Sequence, residues 1–276
     1  MNKFFDEHLN FRLENHKQTE KFDGITAIEL NVTELCNRTC SFCPRHDPKI
    51  YPNRNLHMSL NTVKVLKDQL KGFLGHVQIT GFGEPTLNPD VLEICRILRE
   101  FNIEVVTNGD CFTKNKLSID QLITAGVDNI LISDYDKNPF FKDLERSYKQ
   151  VKVRRHYDDG TDRYEEYKFT NRGGLMFKEY VSNPCYYPMY QVIVDWNGDL
   201  ILCCNDWLRK QKPFGNIHKN HILDIWNNEE YRQIRKNLLD GKRLLHAPCK
   251  SCNANGTLMG KESALYWKNK LENSHA

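Results

Sequence analysis

Three cysteines, Cys36, Cys40 and Cys43, constrain this chain more than any other feature. They stand at spacing C-x3-C-x2-C, directly after the alternating apolar run Thr26 to Val32. That run reads as a strand, and the spacing lets three thiolates at its end converge on one compact metal centre. Soft thiolate donors select an iron–sulfur cluster or zinc. Zinc would need a fourth ligand from elsewhere, such as His46 or His57. A cluster held by three cysteines keeps one coordination position open, and an open position is where chemistry takes place.

Ten cysteines in 276 residues are more than packing requires. Nothing in Met1 to Lys21 has the apolar centre of a signal peptide. No run approaches the roughly 18 apolar residues of a membrane span. The chain is therefore expected in the cytoplasm, where disulfides are rare and metal is the better use of thiols. A net charge of +3 on 27% charged residues argues against nucleic acid and anionic membranes as partners. By spacing the cysteines fall into the first triplet, then Cys185, Cys203, Cys249 and Cys252, then Cys95, Cys111 and Cys204.

After strand 1, Ser59 caps a helix with Val63, Leu66, Leu70 and Phe73 on one face. His76 to Thr80 is strand 2, closed by Gly81-Phe82-Gly83-Glu84-Pro85. Asn88 and Pro89 open the next helix, whose inner face carries Val91, Ile94, Cys95 and Leu98. Ile103 to Thr107 is strand 3, ended by Asn108-Gly109. A helix over Leu117 to Ala125, strand 4 over Asn129 to Ser133, a helix over Phe140 to Tyr148 and strand 5 from Val151 follow. Asp158-Asp159-Gly160 turns the chain into a sixth strand over Tyr167 to Thr170, ended by Asn171-Arg172-Gly173-Gly174. Strands alternating with helices imply parallel βαβ units. Both a partial (β/α)6 barrel and a doubly wound sheet satisfy this, and both place functional loops at the C-terminal ends of strands. Beyond residue 180 the pattern changes. Gln191 to Leu202 reads as a hairpin turning at Asn197-Gly198, Asn228 caps a helix with Tyr231, Ile234 and Leu238 inside, and 261–276 is a closing helix.

The triplet, with the aromatic Phe42 before its last cysteine, resembles the signature of the radical S-adenosylmethionine (SAM) enzymes. In that family three cysteines hold a 4Fe-4S cluster whose fourth iron binds SAM, and reduction releases a 5′-deoxyadenosyl radical. The resemblance implies an α/β fold: a partial (β/α)6 TIM-like barrel over 25–180, after an N-terminal arm over 1–24. It implies SAM contacts from Phe42, Gly83 and Glu84, the last two matching the family's Gly-Gly-Glu motif with Phe82 replacing the first glycine. Asn108 and Ser133 stand where the family places further polar contacts. Ordinary strand-end turns explain those two equally well.

The second cysteine group reads C-x12-G-x4-C through Gly198, then C-x2-C. A hairpin with one thiolate at its base and one at its end, plus a distant pair, can close four thiolates around one centre. A zinc ribbon fits the spacing too. The pattern, with Gly215-Asn216-Ile217 and Asp224-Ile225-Trp226-Asn227, is similar to the shortened SPASM (or twitch) extension of radical SAM enzymes. That implies a small C-terminal domain over 181–276 with a second 4Fe-4S cluster. If Cys203 faces that cluster, Cys204 faces away.

Arg172, in a glycine-rich turn, can bind a carboxylate, a hydroxyl or a developing alkoxide. With the other motifs, this turn resembles the radical SAM dehydrogenases that act on cyclitols. The resemblance implies a substrate-binding and proton-accepting role for Arg172. Those enzymes carry Phe-Glu-Asp after the cluster cysteine, whereas Cys204-Asn205-Asp206 stand here, so a different substrate or outcome is implied. The expected function is oxidation of a secondary alcohol of a cyclitol, sugar or related polyol to a ketone. The second cluster would take the electron, and a reductant such as flavodoxin or ferredoxin would supply the first. A sugar epimerase with a cysteine hydrogen donor and a peptide-modifying enzyme are the alternatives.

Overall fold

The computed structural model describes residues 9–156, 170–179 and 181–273. Eight strands form one sheet in the order β5-β4-β3-β2-β1-β6-β7-β8. They are β1 (Ala27–Asn31), β2 (His76–Thr80), β3 (Asn102–Thr107), β4 (Asn129–Asp134), β5 (Val151–Arg155), β6 (Gln191–Val194), β7 (Asp199–Ile201) and β8 (Gly215–Asn216). The first six are parallel, and β7 and β8 are antiparallel. This is the expected α/β architecture, a partial barrel of six parallel strands.

The sixth parallel strand is not the expected one. Thr170 lies in a loop, and 167–169, like the expected turn at 158–160, lie outside the described residues. The sixth place is taken by β6, the first arm of the C-terminal hairpin, paired with β1 from Ala27↔Gln191 to Leu30↔Val194. Its run Gln191-Val192-Ile193-Val194 is buried throughout, as a strand inside a parallel sheet must be. The hairpin thus carries the barrel sheet directly into the second cysteine group.

Strand residues alternate between two environments. Ile28, Leu30, Val77, Ile79, Ile103, Val105, Ile130 and Ile132 join the main apolar cluster with the helix residues Val63, Leu66, Leu70, Ile94, Leu98 and Leu122. Each such side chain removed from water contributes about 1.5–3 kcal/mol. The intervening residues face inward, and Glu29, Gln78, Thr80, Ser133 and Gln191 line a cavity. The barrel interior is therefore polar by sequence.

The helices are α1 (Asn10–Glu14), α2 (Leu60–Gln69), α3 (Val91–Leu98), α4 (Asp110–Thr113), α5 (Ile119–Thr124), α6 (Pro139–Ser147), α7 (Tyr187–Tyr190), α8 (Ile222–Trp226), α9 (Glu229–Leu239) and α10 (Thr257–Asn273). Ser59 and Asn228 cap α2 and α9 as expected, accepting from Thr62 N and Tyr231 N. Asn88 does not cap α3. Its amide donates to Val32 O at 2.8 Å and its Oδ1 accepts from Asp90 N, so the helix starts two residues later than proline placement suggested. Helix α10 closes the base, with Trp267 Nε1 donating to Met189 O.

Candidate radical site between two thiol groups

The loop after β1 is held by residues the motif does not contain. Asn53 accepts from Cys36 N and donates to Cys36 O, both at 2.8 Å. Arg45, 4% exposed, donates to Asn53 Oδ1 and to Phe82 O. Across the loop, Arg38 pairs with Asp110 at 2.5 Å and Asp136 at 2.6 Å, and Asn37 donates to Asp110 Oδ2. Cys36, Cys40 and Cys43 remain half-buried and line one cavity of about 850 Å³. That volume is at the upper end for ligand pockets and leaves room for more than one small molecule. Burial beside the other two thiols pushes Cys40 up to about 11. A cluster binding there would displace the thiol protons.

Glu84 is 3% exposed and fully engaged. Oε1 accepts from Thr107 Oγ1 at 2.6 Å and from Thr86, and Oε2 accepts from Asn108 N at 2.8 Å. Asn108 in turn donates to Asn37 Oδ1. A Cβ on Gly83 would stand 2.3 Å from Thr33 O and 2.6 Å from Leu35 O. Glycine there allows the end of β2 to reach the cysteine loop, with Glu84 N donating to Leu35 O. Phe82, where the family motif has glycine, is buried edge-on against Trp207 and tilted against Tyr51. Ser133 accepts from Arg154 at 2.8 Å. Phe42 lies 5.3 Å from Tyr135 between ring centroids and 6.1 Å from His156, which stacks on Tyr135 at 4.8 Å. Phe42, Phe82, Gly83, Glu84, Thr107, Asn108, Ser133, Tyr135, Arg154 and His156 all line the cavity.

The second thiol group is closed. Cys185, Cys203, Cys249 and Cys252 are each at most 9% exposed. Burial pushes each thiol up; Cys203 is raised next by the neighbouring Cys204 and then by the other three, Cys249 by Cys185 and Cys252, and Cys185 by Cys252. For Cys252 burial alone raises it. Buried Arg243 ties the two ends together, donating to Asn183 O, Pro184 O and Cys252 O at 2.7–3.1 Å. Among the described residues, no three His, Cys, Asp or Glu side chains converge tightly enough for a single ion. An all-thiolate set around each site suits a cluster, which is larger than an ion and holds its ligands further apart. Cys204 lines the central cavity and Cys203 does not; both lie past the end of β7, in the turn that follows it, so strand alternation does not account for the difference. Cys95 and Cys111 are core residues outside it.

Arg172 stands where the two groups meet. It lines the cavity in a left-handed conformation, φ 51°, which side chains other than glycine rarely adopt. Its Nε is buried without a hydrogen-bond partner among the described residues. Its turn is fastened to the second group: Asn171 Nδ2 donates to Ser251 O at 2.7 Å, and Asn171 N to Asn253 Oδ1 at 2.8 Å. A Cβ on Gly174 would stand 2.6 Å from Ser251 Cβ. These glycines permit backbone to meet backbone. Neither Asn205 nor Asp206 lines the cavity; Asp206 instead accepts from Lys210 N and Gln211 N. The sequence did not reveal Tyr135, His156 or the inward Glu29, although the polar alternation of β1 and β2 was the signal for the last.

Residues 30–153 match the Radical SAM superfamily, and 185–253 match the iron-sulfur cluster-binding domain SPASM. The chain carries a Radical SAM domain followed by an iron–sulfur SPASM domain, the make-up of a radical SAM oxidoreductase whose cofactors are SAM and iron–sulfur clusters. It is 28% identical over 240 residues to the S-adenosyl-L-methionine-dependent 2-deoxy-scyllo-inosamine dehydrogenase of Niallia circulans, covering 83% of this chain and 92% of the relative. The crystal structure of BtrN in complex with AdoMet and 2-DOIA superposes with a TM-score of 0.71 at 25% identity, over 83% of this chain and 93% of that one. The GTP 3',8-cyclase of Limosilactobacillus fermentum is 27% identical over 125 residues, 43% of this chain and 36% of the cyclase. No helix among the described residues is long and apolar enough to cross a membrane.

Proposed function

We propose that this chain oxidises a secondary alcohol of a cyclitol, sugar or related polyol to a ketone. The observation that carries the reading is Arg172: it lines the cavity from a left-handed backbone, its Nε has no hydrogen-bond partner among the described residues, and its neighbour Asn171 is fastened to the second thiol group. Strain of this kind costs about 1–3 kcal/mol and persists where function needs it. The triplet Cys36, Cys40 and Cys43 would hold one 4Fe-4S cluster, and Cys185, Cys203, Cys249 and Cys252 the other. When bound, SAM and the clusters supply hydrogen-atom abstraction and an electron sink. Arg172 would grip the alcohol oxygen. Phe42, Gly83, Glu84, Asn108 and Ser133 would form the SAM side of the cavity, Gly83 and Glu84 by shaping the loop. An external one-electron donor of the flavodoxin or ferredoxin kind, in the cytoplasm, completes the proposal. The division into arm (1–24), barrel (25–180) and cluster-binding domain (181–276) is kept as a functional one.

The test is anaerobic reconstitution followed by turnover with 2-deoxy-scyllo-inosamine and neutral cyclitols. A ketone formed with one 5′-deoxyadenosine per turnover is expected, and zinc without iron after reconstitution would sink the reading. One observation favours a second reading, epimerisation: Cys204 lines the cavity and its thiol is not needed for a cluster. In D2O, deuterium on an inverted carbon identifies the epimerase, and a ketone without deuterium identifies the dehydrogenase.

A further inference from the structure

Oxidising an alcohol to a ketone removes a hydrogen atom from carbon, a proton from oxygen and one electron. In the proposed function the hydrogen atom leaves to the SAM-derived fragment and the electron to the second cluster. The proton needs a base. Arg172 cannot serve, because a guanidinium stays protonated in proteins. Cys204, Tyr187 and Tyr190 line the cavity, but burial pushes all three up, away from a proton-accepting form at neutral pH.

Among the described residues three carboxylates line the cavity: Glu29, Glu84 and Glu179. Both oxygens of Glu84 are occupied by Thr86, Thr107 and Asn108. Glu179 is exposed at the rim and accepts from Asn253. Glu29 is different. It points inward from the middle of β1, 6% exposed, and its Oε2 accepts from Gln191 Nε2 at 2.7 Å. Among the described residues no donor reaches Oε1, and the side chain lines the cavity.

We propose that Glu29 is a catalytic residue, the base that accepts the hydroxyl proton of the alcohol held by Arg172. This rests on the dehydrogenase reading. The groups around Glu29 are arranged for the task. Arg12, from α1, enters the barrel floor and pairs with Glu104 of β3 at 2.6 Å. Arg12 and Arg172 favour the Glu29 carboxylate, while Glu104 opposes it, and Cys204 and Tyr190 sense the Glu29 charge. Burial outweighs the two arginines and pushes Glu29 up to about 7. A base near the working pH both empties readily and holds its proton long enough for the O–H bond to break. The proton moves from alcohol oxygen to Glu29 Oε1, the C–O bond gains its second bond, and Glu29 returns the proton to solvent before the next turnover.

The experiment uses reconstituted holoenzyme, wild type and Glu29→Gln, with 2-deoxy-scyllo-inosamine deuterated at its carbinol carbons. The variant is expected to lose ketone formation by about 100-fold or more, with deuterium still appearing in 5′-deoxyadenosine. Wild-type kcat should rise with pH through about 7, and Glu29→Asp should restore turnover with a displaced profile. Infrared difference titration of wild type against Glu29→Gln reads the protonated carboxyl directly, whatever the enzyme does with this substrate. Ketone formation in Glu29→Gln within twofold of wild type and with the same pH profile would overturn the assignment, as would a carboxyl that titrates at the ordinary glutamate value. So would the same loss in His156→Gln with Glu29→Gln unaffected. If wild type makes no ketone at all, the dehydrogenase reading fails instead, and the infrared titration still decides whether Glu29 is a buried base.

Discussion

The two thiol groups use the same donor atom in opposite ways. The first lies in a half-exposed loop that opens into the cavity, and its supports, Asn53, Arg45 and Asp110, grip the backbone and the flanking side chains while leaving the thiols accessible. The second is sealed, with four buried thiols and Arg243 clamping three carbonyls around them. Three ligands and an opening suit a site that must bind and release. Four ligands and closure suit a site that only stores charge and holds the chain together. The difference lies less in the cysteines than in what surrounds them.

Several substitutions break or sharpen this contrast. The largest effect is expected from Cys40→Ala. It should abolish SAM cleavage outright and lower bound iron from about eight to about four per chain, while leaving thermal unfolding nearly unchanged; assays of 5′-deoxyadenosine and iron check this. Cys249→Ala should do the reverse. SAM cleavage persists, ketone formation falls by at least about 100-fold because the electron has no acceptor, and the melting temperature drops because a folded-state ligand site is lost. Arg243→Met removes the donor to the carbonyls of Asn183, Pro184 and Cys252, the last of them buried, and should cost about 3–5 kcal/mol in denaturant unfolding. Arg45→Met, at the open site, leaves only two better-placed acceptors and should cost less, about 2–3 kcal/mol. The smallest effect is a pH slope. Because the folded state raises Glu29 from its ordinary value to about 7, its contribution to stability is full below pH about 4.5 and is lost as pH rises through about 7. Relative to Glu29→Gln, the wild type should therefore lose on the order of 2 kcal/mol across that window, measured by unfolding at several pH values.

The sequence made the sheet legible because its strands obey a strict alternation. His76 to Thr80 was read to the residue, since Val77 and Ile79 face helices while Gln78 faces the cavity. The helix before it was equally plain, with Ser59 as cap and Val63 and Leu66 inside. What stayed hidden was contact between distant segments. Nothing local marks Asn53 as the brace of Cys36, or Arg12 as a plug in a barrel that begins fifteen residues later. The sixth parallel strand was misplaced for the same reason: pairing with β1 is decided by tertiary fit, and Gln191 to Val194 fits as well locally as a hairpin arm. Nor does the sequence show that Gly83 and Gly174 also make room for Thr33 O and Ser251 Cβ, bringing distant segments of the chain together.

The fastening of Asn171 to Ser251 and Asn253 has a consequence for how such a protein can diverge. The position of Arg172, and with it the proposed grip on the alcohol, is set by the C-terminal lobe, although Arg172 precedes that lobe in the chain. Insertions in the outer helices of the barrel leave the grip where it is. A change of one residue between Cys249 and Asn253 shifts it. New substrates are therefore reached by drift in a short stretch beside the second cluster, while the initiating half of the enzyme stays the same.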